Sequence, residues 1–132
     1  KKQRFEELNV WRQGVELNVK IYQNLKSSRD SWFTNQILRS SLSIPSNISE
    51  GYDRASNKEF IRFLAIARGS CSEVRTQLVI ASRLDLMATS VVEELMDKSN
   101  HITAMLNNLI SVRRKMPIDL IAGAPVYRGT GT

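Results

Sequence analysis

Ser56-Asn57-Lys58-Glu59-Phe60-Ile61-Arg62-Phe63-Leu64-Ala65-Ile66-Ala67-Arg68-Gly69-Ser70-Cys71-Ser72-Glu73 opens a long amphipathic run without proline. Phe60, Leu64, Ala67, Cys71, Val74, Leu78 and Ala81 recur in alternating steps of four and three. That is the heptad seam of a helix packed along its length on other helices. Phe63, Ile66 and Ile80 widen the apolar face. Ser56 and Glu59 have capping-box spacing, so the helix is expected to start at once after Ser56. Small residues fill the middle from Ala67 to Ser72, apart from Arg68, and let a neighbouring helix come close. Cys71 sits on the seam and reads as core packing rather than as a nucleophile.

Working outward, three more helices are expected. Before the seam, Phe33, Ile37, Ser40 or Ser41, Ile44, Ile48 and Tyr52 keep helical spacing through Pro45. A proline inside a helix lacks an N–H and crowds the preceding turn, so one helix kinked at Pro45 is expected from about Trp32 to Asp53. Asp30 or Ser31 is placed to cap it, and a polar break is expected from Gly51 to Asn57. Nearer the start, Phe5, Leu8, Trp11, Val15, Val19, Tyr22 and Leu25 form a stripe in steps of three and four. It is read as the buried face of the first helix. After the seam, Ser90 and Glu93 repeat the capping-box spacing, and Val92, Leu95, Ile102, Met105 or Leu106, and Leu109 make a fourth stripe. Arg113-Arg114-Lys115 and then Pro117 end it. Residues 1–115 thus read as one all-α domain, an antiparallel up-down four-helix bundle. Residues 116–132, with no helical period, read as an extended C-terminal tail.

With 132 residues, 42% hydrophobic and 24% charged, the chain has the composition of a single globular domain. No apolar run approaches the roughly 20 residues that span a bilayer, so no membrane association is expected. The single cysteine excludes an internal disulfide framework and, with no secretory pattern at the start, points to the cytoplasm. The net charge of +6 is uneven. Its densest basic clusters are Lys1, Lys2 and Arg4 at one end and Arg113, Arg114 and Lys115 at the other. Such clusters attract phosphate backbones.

Catalytic chemistry finds little footing. There is no Gly-rich phosphate loop, no Cys/His metal cluster, no Cys-His dyad and no Glu-x-x-His repeat. No cofactor, metal or catalytic residue is expected. Glu50 and Glu73 lie deep in apolar segments and are the carboxylates expected to be partly buried, paired with Arg39, Arg54 or Arg75. His101, the only histidine, reads as a surface residue near Asp97.

Gln36-Ile37-Leu38-Arg39-Ser40-Ser41-Leu42-Ser43-Ile44-Pro45-Ser46-Asn47-Ile48-Ser49-Glu50-Gly51 adds a second specific stretch. Together with the seam helix and Leu8-Asn9-Val10-Trp11 it resembles the bacterial 23S rRNA intervening-sequence proteins, once labelled S23 ribosomal proteins. The family pattern, Ile-Pro-x-Asn-Ile-x-Glu-Gly, then Glu-Phe, then Gly-Ser-x-x-Glu, is matched over roughly residues 5–112. The resemblance implies a cytoplasmic four-helix bundle that assembles as a homo-oligomer, a ring of five being favoured. A related bundle, the accessory variability determinant of diversity-generating retroelements, binds a reverse transcriptase and nucleic acid. No catalytic residue comes with either. Ile44, Pro45, Asn47, Glu50, Gly51, Gly69, Ser70 and Glu73 are then architectural, setting the kink and the close packing of the second and third helices.

Two functions remain to be weighed. One is RNA or DNA binding through Lys1, Lys2, Arg4, Arg39, Arg62, Arg68, Arg75, Arg113, Arg114 and Lys115. The sequence shows neither stacking-aromatic RNA motifs nor a helix-turn-helix signal, so weak sequence specificity is expected. The other is a protein-interaction scaffold, for example an accessory subunit of a reverse transcriptase.

Overall fold

The computed structural model describes residues 8–54 and 56–116. Four helices account for nearly all of them: α1 (Asn9–Leu25), α2 (Ser31–Tyr52), α3 (Asn57–Arg83) and α4 (Thr89–Arg114). The connections are only a few residues long, so consecutive helices must run in opposite directions. α1 packs on α2, α2 on α3, α3 on α4, and α4 closes back on α1. This is the expected four-helix bundle, and α2 runs as one helix through Pro45. Lys1, Lys2, Arg4 and the tail beyond Met116 lie outside the described residues.

Local chemistry sets the helix ends. The Asp30 carboxylate accepts the Phe33 N–H at 2.9 Å and starts α2. Ser56 Oγ accepts the Glu59 N–H at 3.1 Å and starts α3. Only this half of the capping box forms as expected, because the Glu59 carboxylate turns to Arg62 instead, 3.1 Å away. α3 ends in a Schellman motif: Leu86 N–H reaches back to the Ala81 carbonyl at 2.9 Å, and Asp85 N–H to Ser82 at 3.2 Å. Asp85 takes the left-handed position, φ 56°, usually given to glycine. The second expected capping box, Ser90 with Glu93, does not cap α4. The helix begins at Thr89 on Ala88, whose carbonyl accepts Val92 N–H at 3.0 Å. Met87, buried in the core just before, pulls the start forward and leaves Ser90 exposed inside the first turn.

The core follows the seam. Phe60, Leu64, Ala67, Cys71, Val74, Leu78 and Ala81 are wholly buried, and from α2 so are Ile37, Ser41, Ile44 and Ile48. On α4 the core residues are Val92, Leu95, Ser99, Ile102, Leu106 and Ile110, so Leu106 rather than Met105 faces inward. Leu109 is only half-buried. Ile66 and Ile80 do not widen the buried face; they stand 40% and 42% exposed.

α1 corrects the expected stripe. Its buried residues are Val10, Gly14, Leu17, Ile21 and Leu25, whereas Val19 and Tyr22 are 45% and 54% exposed. Two apolar registers compete on this helix, and the deciding position is Gly14. A Cβ there would sit 3.1 Å from Ile44 Cγ2 and 3.3 Å from Pro45 Cδ. The helix therefore turns its hydrogen-only residue toward the proline of α2, which rotates Val19 and Tyr22 out to the surface. Pro45 and Ile44 thus serve the α1–α2 contact, and not only the α2–α3 packing expected of them.

Candidate nucleic-acid interface

At one end of the bundle the close of α2, the start of α3 and the close of α4 come together. Asn57, buried in the first turn of α3, donates its amide to the Arg113 carbonyl at 2.7 Å. Arg113 returns a guanidinium bond to Asn57 Oδ1 at 3.2 Å and lies over the Phe60 ring, 4.8 Å from its centre. Burial pulls the Arg113 pKa down, and an arginine keeps its charge regardless. Phe60 in turn meets Tyr52 edge-on at 5.6 Å. Around this pinned arginine, Asn57, Lys58, Ile61, Arg113, Arg114 and Met116 line a groove of about 240 Å³, with no acid among these described residues. Lys115 stands exposed beside Arg114.

Two further guanidinium groups lie near the close of α2 and the start of α3. Arg54 and Arg62 both lie over Phe63, at 5.0 and 4.6 Å. Each also pairs with a carboxylate one turn away, Arg54 with Glu50 at 2.6 Å and Arg62 with Glu59 at 3.1 Å. The hydrogen bond from Arg62, helped by its charge, pulls the Glu59 carboxyl below its usual pKa.

The other sequence candidates scatter. Arg68 reaches across to Asn107 Oδ1 at 3.0 Å. Arg75 donates to Thr103 at 2.7 Å, Ser99 at 3.3 Å and Ser72 at 3.1 Å. These two fasten α3 to α4, Arg68 with one hydrogen bond and Arg75 with two. Arg39 stands exposed on the α1–α2 face, away from the basic end. Lys58 and Arg54, neither of them among the sequence candidates, belong to the basic end. The short connection between α2 and α3 marks both as lying at this end of the bundle, while the place of Lys58 beside Arg113 depends on how α3 meets α4.

The motif residues divide in the same way. Gly51 lies inside the last turn of α2, not in a break, and a Cβ on it would come 2.5 Å from Phe63 Cβ. Ser70 shares a 2.9 Å hydrogen bond with Ser43 between α3 and α2. Asn47 donates to the Ser43 carbonyl at 2.8 Å and to its hydroxyl at 2.9 Å. Ser41 and Ser40 donate to the Leu38 and Gln36 carbonyls. Glu50 and Glu73, expected to be partly buried, are both exposed, because each lies on the outward side of its helix. Gly69 does not serve the close packing of α2 and α3: among the described residues nothing lies within 4 Å of where its Cβ would be. His101 is exposed.

Among the described residues no group of three or more His, Cys, Asp or Glu could hold a metal ion. The Cys71 thiol is buried and its pKa raised by desolvation, the environment of an unreactive cysteine. No described helix is long and apolar enough to cross a membrane.

Comparison with known proteins adds the following. The model of a family described as 23S rRNA-intervening sequence protein matches residues 6–108. A crystal structure of a protein of unknown function from the S23 ribosomal protein family, from Bacteroides thetaiotaomicron, superposes with a TM-score of 0.72 at 28% identity. The match covers 76% of this chain and 97% of that one. No curated protein gives a significant match.

Proposed function

The chain belongs to the 23S rRNA-intervening sequence protein family, and on that premise we propose that it is a non-enzymatic, oligomeric bundle that binds RNA or DNA through phosphates. The observation that carries this reading is the groove of Lys58, Arg113 and Arg114, with no acid among its described lining residues and Lys115 beside it. A polyanion gains there by releasing its counterions, and such binding is strongly salt-dependent and weakly sequence-specific. A cytoplasmic ring of five would repeat the cluster around one axis and multiply its field. Ile66 and Ile80, exposed on one side of α3, supply apolar surface for self-association.

Fluorescence anisotropy against labelled RNA and DNA of mixed sequence, from low to moderate salt, tests the reading. The wild type is expected to bind with affinity falling linearly in log salt. The triple variant Lys58→Glu, Arg114→Glu, Lys115→Glu is expected to bind about a hundredfold more weakly with a shallower salt slope. Wild-type protein that binds neither nucleic acid at low salt ends the proposal. Light scattering reports the number of 15.0 kDa copies.

A second reading, a scaffold for a protein partner such as a reverse transcriptase, is favoured by the opposite end of the bundle. Trp32 is 71% exposed there, beside a cleft of about 200 Å³ lined by Phe33, Gln36, Gln77, Ile80 and Leu84. The buried Gln77 Oε1 has no hydrogen-bond partner. Loss of a co-expressed reverse transcriptase on Trp32→Ser, with nucleic-acid affinity unchanged, would select this reading.

A further inference from the structure

The rotation of α1 leaves an open groove of about 570 Å³ between α1 and α2 that neither the phosphate cluster nor the core accounts for. Its floor is anchored by Asn18, whose amide donates to Ser41 Oγ at 2.8 Å and to the Leu38 carbonyl at 3.2 Å. That bond fixes the register of the two antiparallel helices, so Tyr22, one turn above Asn18, lies opposite the turn of α2 between Asn35 and Arg39. Tyr22 and Leu42 are each 54% exposed, with Val19 between them at 45%. No acid is among its described lining residues. Among the described residues Arg39 has neither an ion pair nor a hydrogen bond, and the Asn35 amide likewise has no partner.

We propose that this groove is a stacking platform for an unpaired base of a single-stranded nucleic acid, Tyr22 offering its ring face and Arg39 taking the adjoining phosphate. The inference rests on the nucleic-acid reading above and narrows its substrate to single strands. Every base has a π-face, so an exposed aromatic beside an unpaired cation binds single strands whatever their sequence. Bases of a duplex are already stacked and cannot present that face. The free Asn35 amide holds both donors and an acceptor for a base edge. From Asn35 to Leu42 the groove runs roughly 10 Å along the helix, a length suited to a base with its phosphates. A second copy of the chain fits less well. Docked groove on groove, two copies would bury two Arg39 charges with no acid among the described lining residues, and an unpaired buried charge is costly.

The test uses the whole chain, a fluorescein-labelled 12-nucleotide poly-U RNA, and a mixed-sequence RNA duplex of 12 base pairs. The wild type is expected to prefer the single strand. Tyr22→Ala is expected to weaken single-strand binding roughly tenfold while leaving duplex binding unchanged, and Tyr22→Phe to keep the preference. Arg39→Gln is expected to weaken single-strand binding and lower its salt slope by about one. The Lys58, Arg114 and Lys115 triple variant is expected to weaken both probes equally. Circular dichroism melts check that each variant is folded. A single-strand preference indifferent to Tyr22→Ala overturns the stacking platform and leaves the phosphate reading standing. So does a change of particle mass in Tyr22→Ala, which would make the groove an interface between copies. Wild-type protein that binds neither probe overturns both.

Discussion

The α2–α3 and α1–α4 seams are built from the same kind of helix but are held together by different physics. Between α2 and α3 the backbones approach closely because Gly51 presents no side chain to Phe63, and Ser43 and Ser70 share one short hydrogen bond. Between α1 and α4 long charged side chains span the gap. Lys20 pairs with Glu94 at 3.1 Å, and Lys98 donates to Glu16 at 2.8 Å and Gln13 at 2.7 Å. A close-packed seam resists any change of volume, whereas a seam of exposed ion pairs contributes little and tolerates substitution. The specific sequence motif accordingly concentrates on α2 and α3.

The sharpest way to break this contrast is Gly51→Ala. The new Cβ would have to move Phe63 Cβ, which is fixed to the α3 backbone, so a loss of about 2–3 kcal/mol in urea unfolding is expected. A variant as stable as the wild type would show the seam to be looser than described. Gly69→Ala, in the same motif, sharpens the point from the other side. It faces open space in the middle of α3, so the substitution should stabilise the chain by about 0.5–1 kcal/mol through helix propensity alone. A loss of stability would mean that something packs on Gly69.

The smallest effect belongs to the ionic seam and is a matter of pH. The hydrogen bond and charge of Lys98 hold the Glu16 carboxyl below its usual pKa. A carboxyl whose folded pKa lies below its unfolded value adds stability above the unfolded value and loses it as pH falls through the folded one. Glu16→Gln should therefore melt slightly lower than the wild type at pH 7, with the two curves converging in acid. For Lys20 the sign reverses. Glu94 raises its pKa, so its contribution is present below the ordinary lysine pKa and fades as pH rises through the raised value. A Glu16→Gln difference that persists at pH 2 would show a contact other than the ion pair.

How much of this was legible differs from helix to helix. On α3 the alternation of four and three left one buried face, and every seam residue from Phe60 to Ala81 was placed correctly. On α1 two apolar registers were available, Leu8-Trp11-Val15-Val19-Tyr22 and Val10-Gly14-Leu17-Ile21. Periodicity favours neither when a glycine is scored as a weak helix former rather than as a contact. Among the basic residues, sequence adjacency marked Arg113, Arg114 and Lys115, but it gave no means of telling that Arg68 and Arg75 fasten α3 to α4. Nor could it bring Lys58 beside Arg113, since that contact joins residues on two different helices.

By itself the sequence determined the four helices, most of their limits and the buried faces of α2 and α3, because those depend on local spacing, capping and side-chain size. Only the tertiary structure decided the rotation of α1, the basic end and the apolar groove carrying Tyr22 and Arg39. Each depends on which side chain meets which across a gap between helices. At Gly14 that outcome turned on the space a proline on the neighbouring helix leaves for a single hydrogen atom.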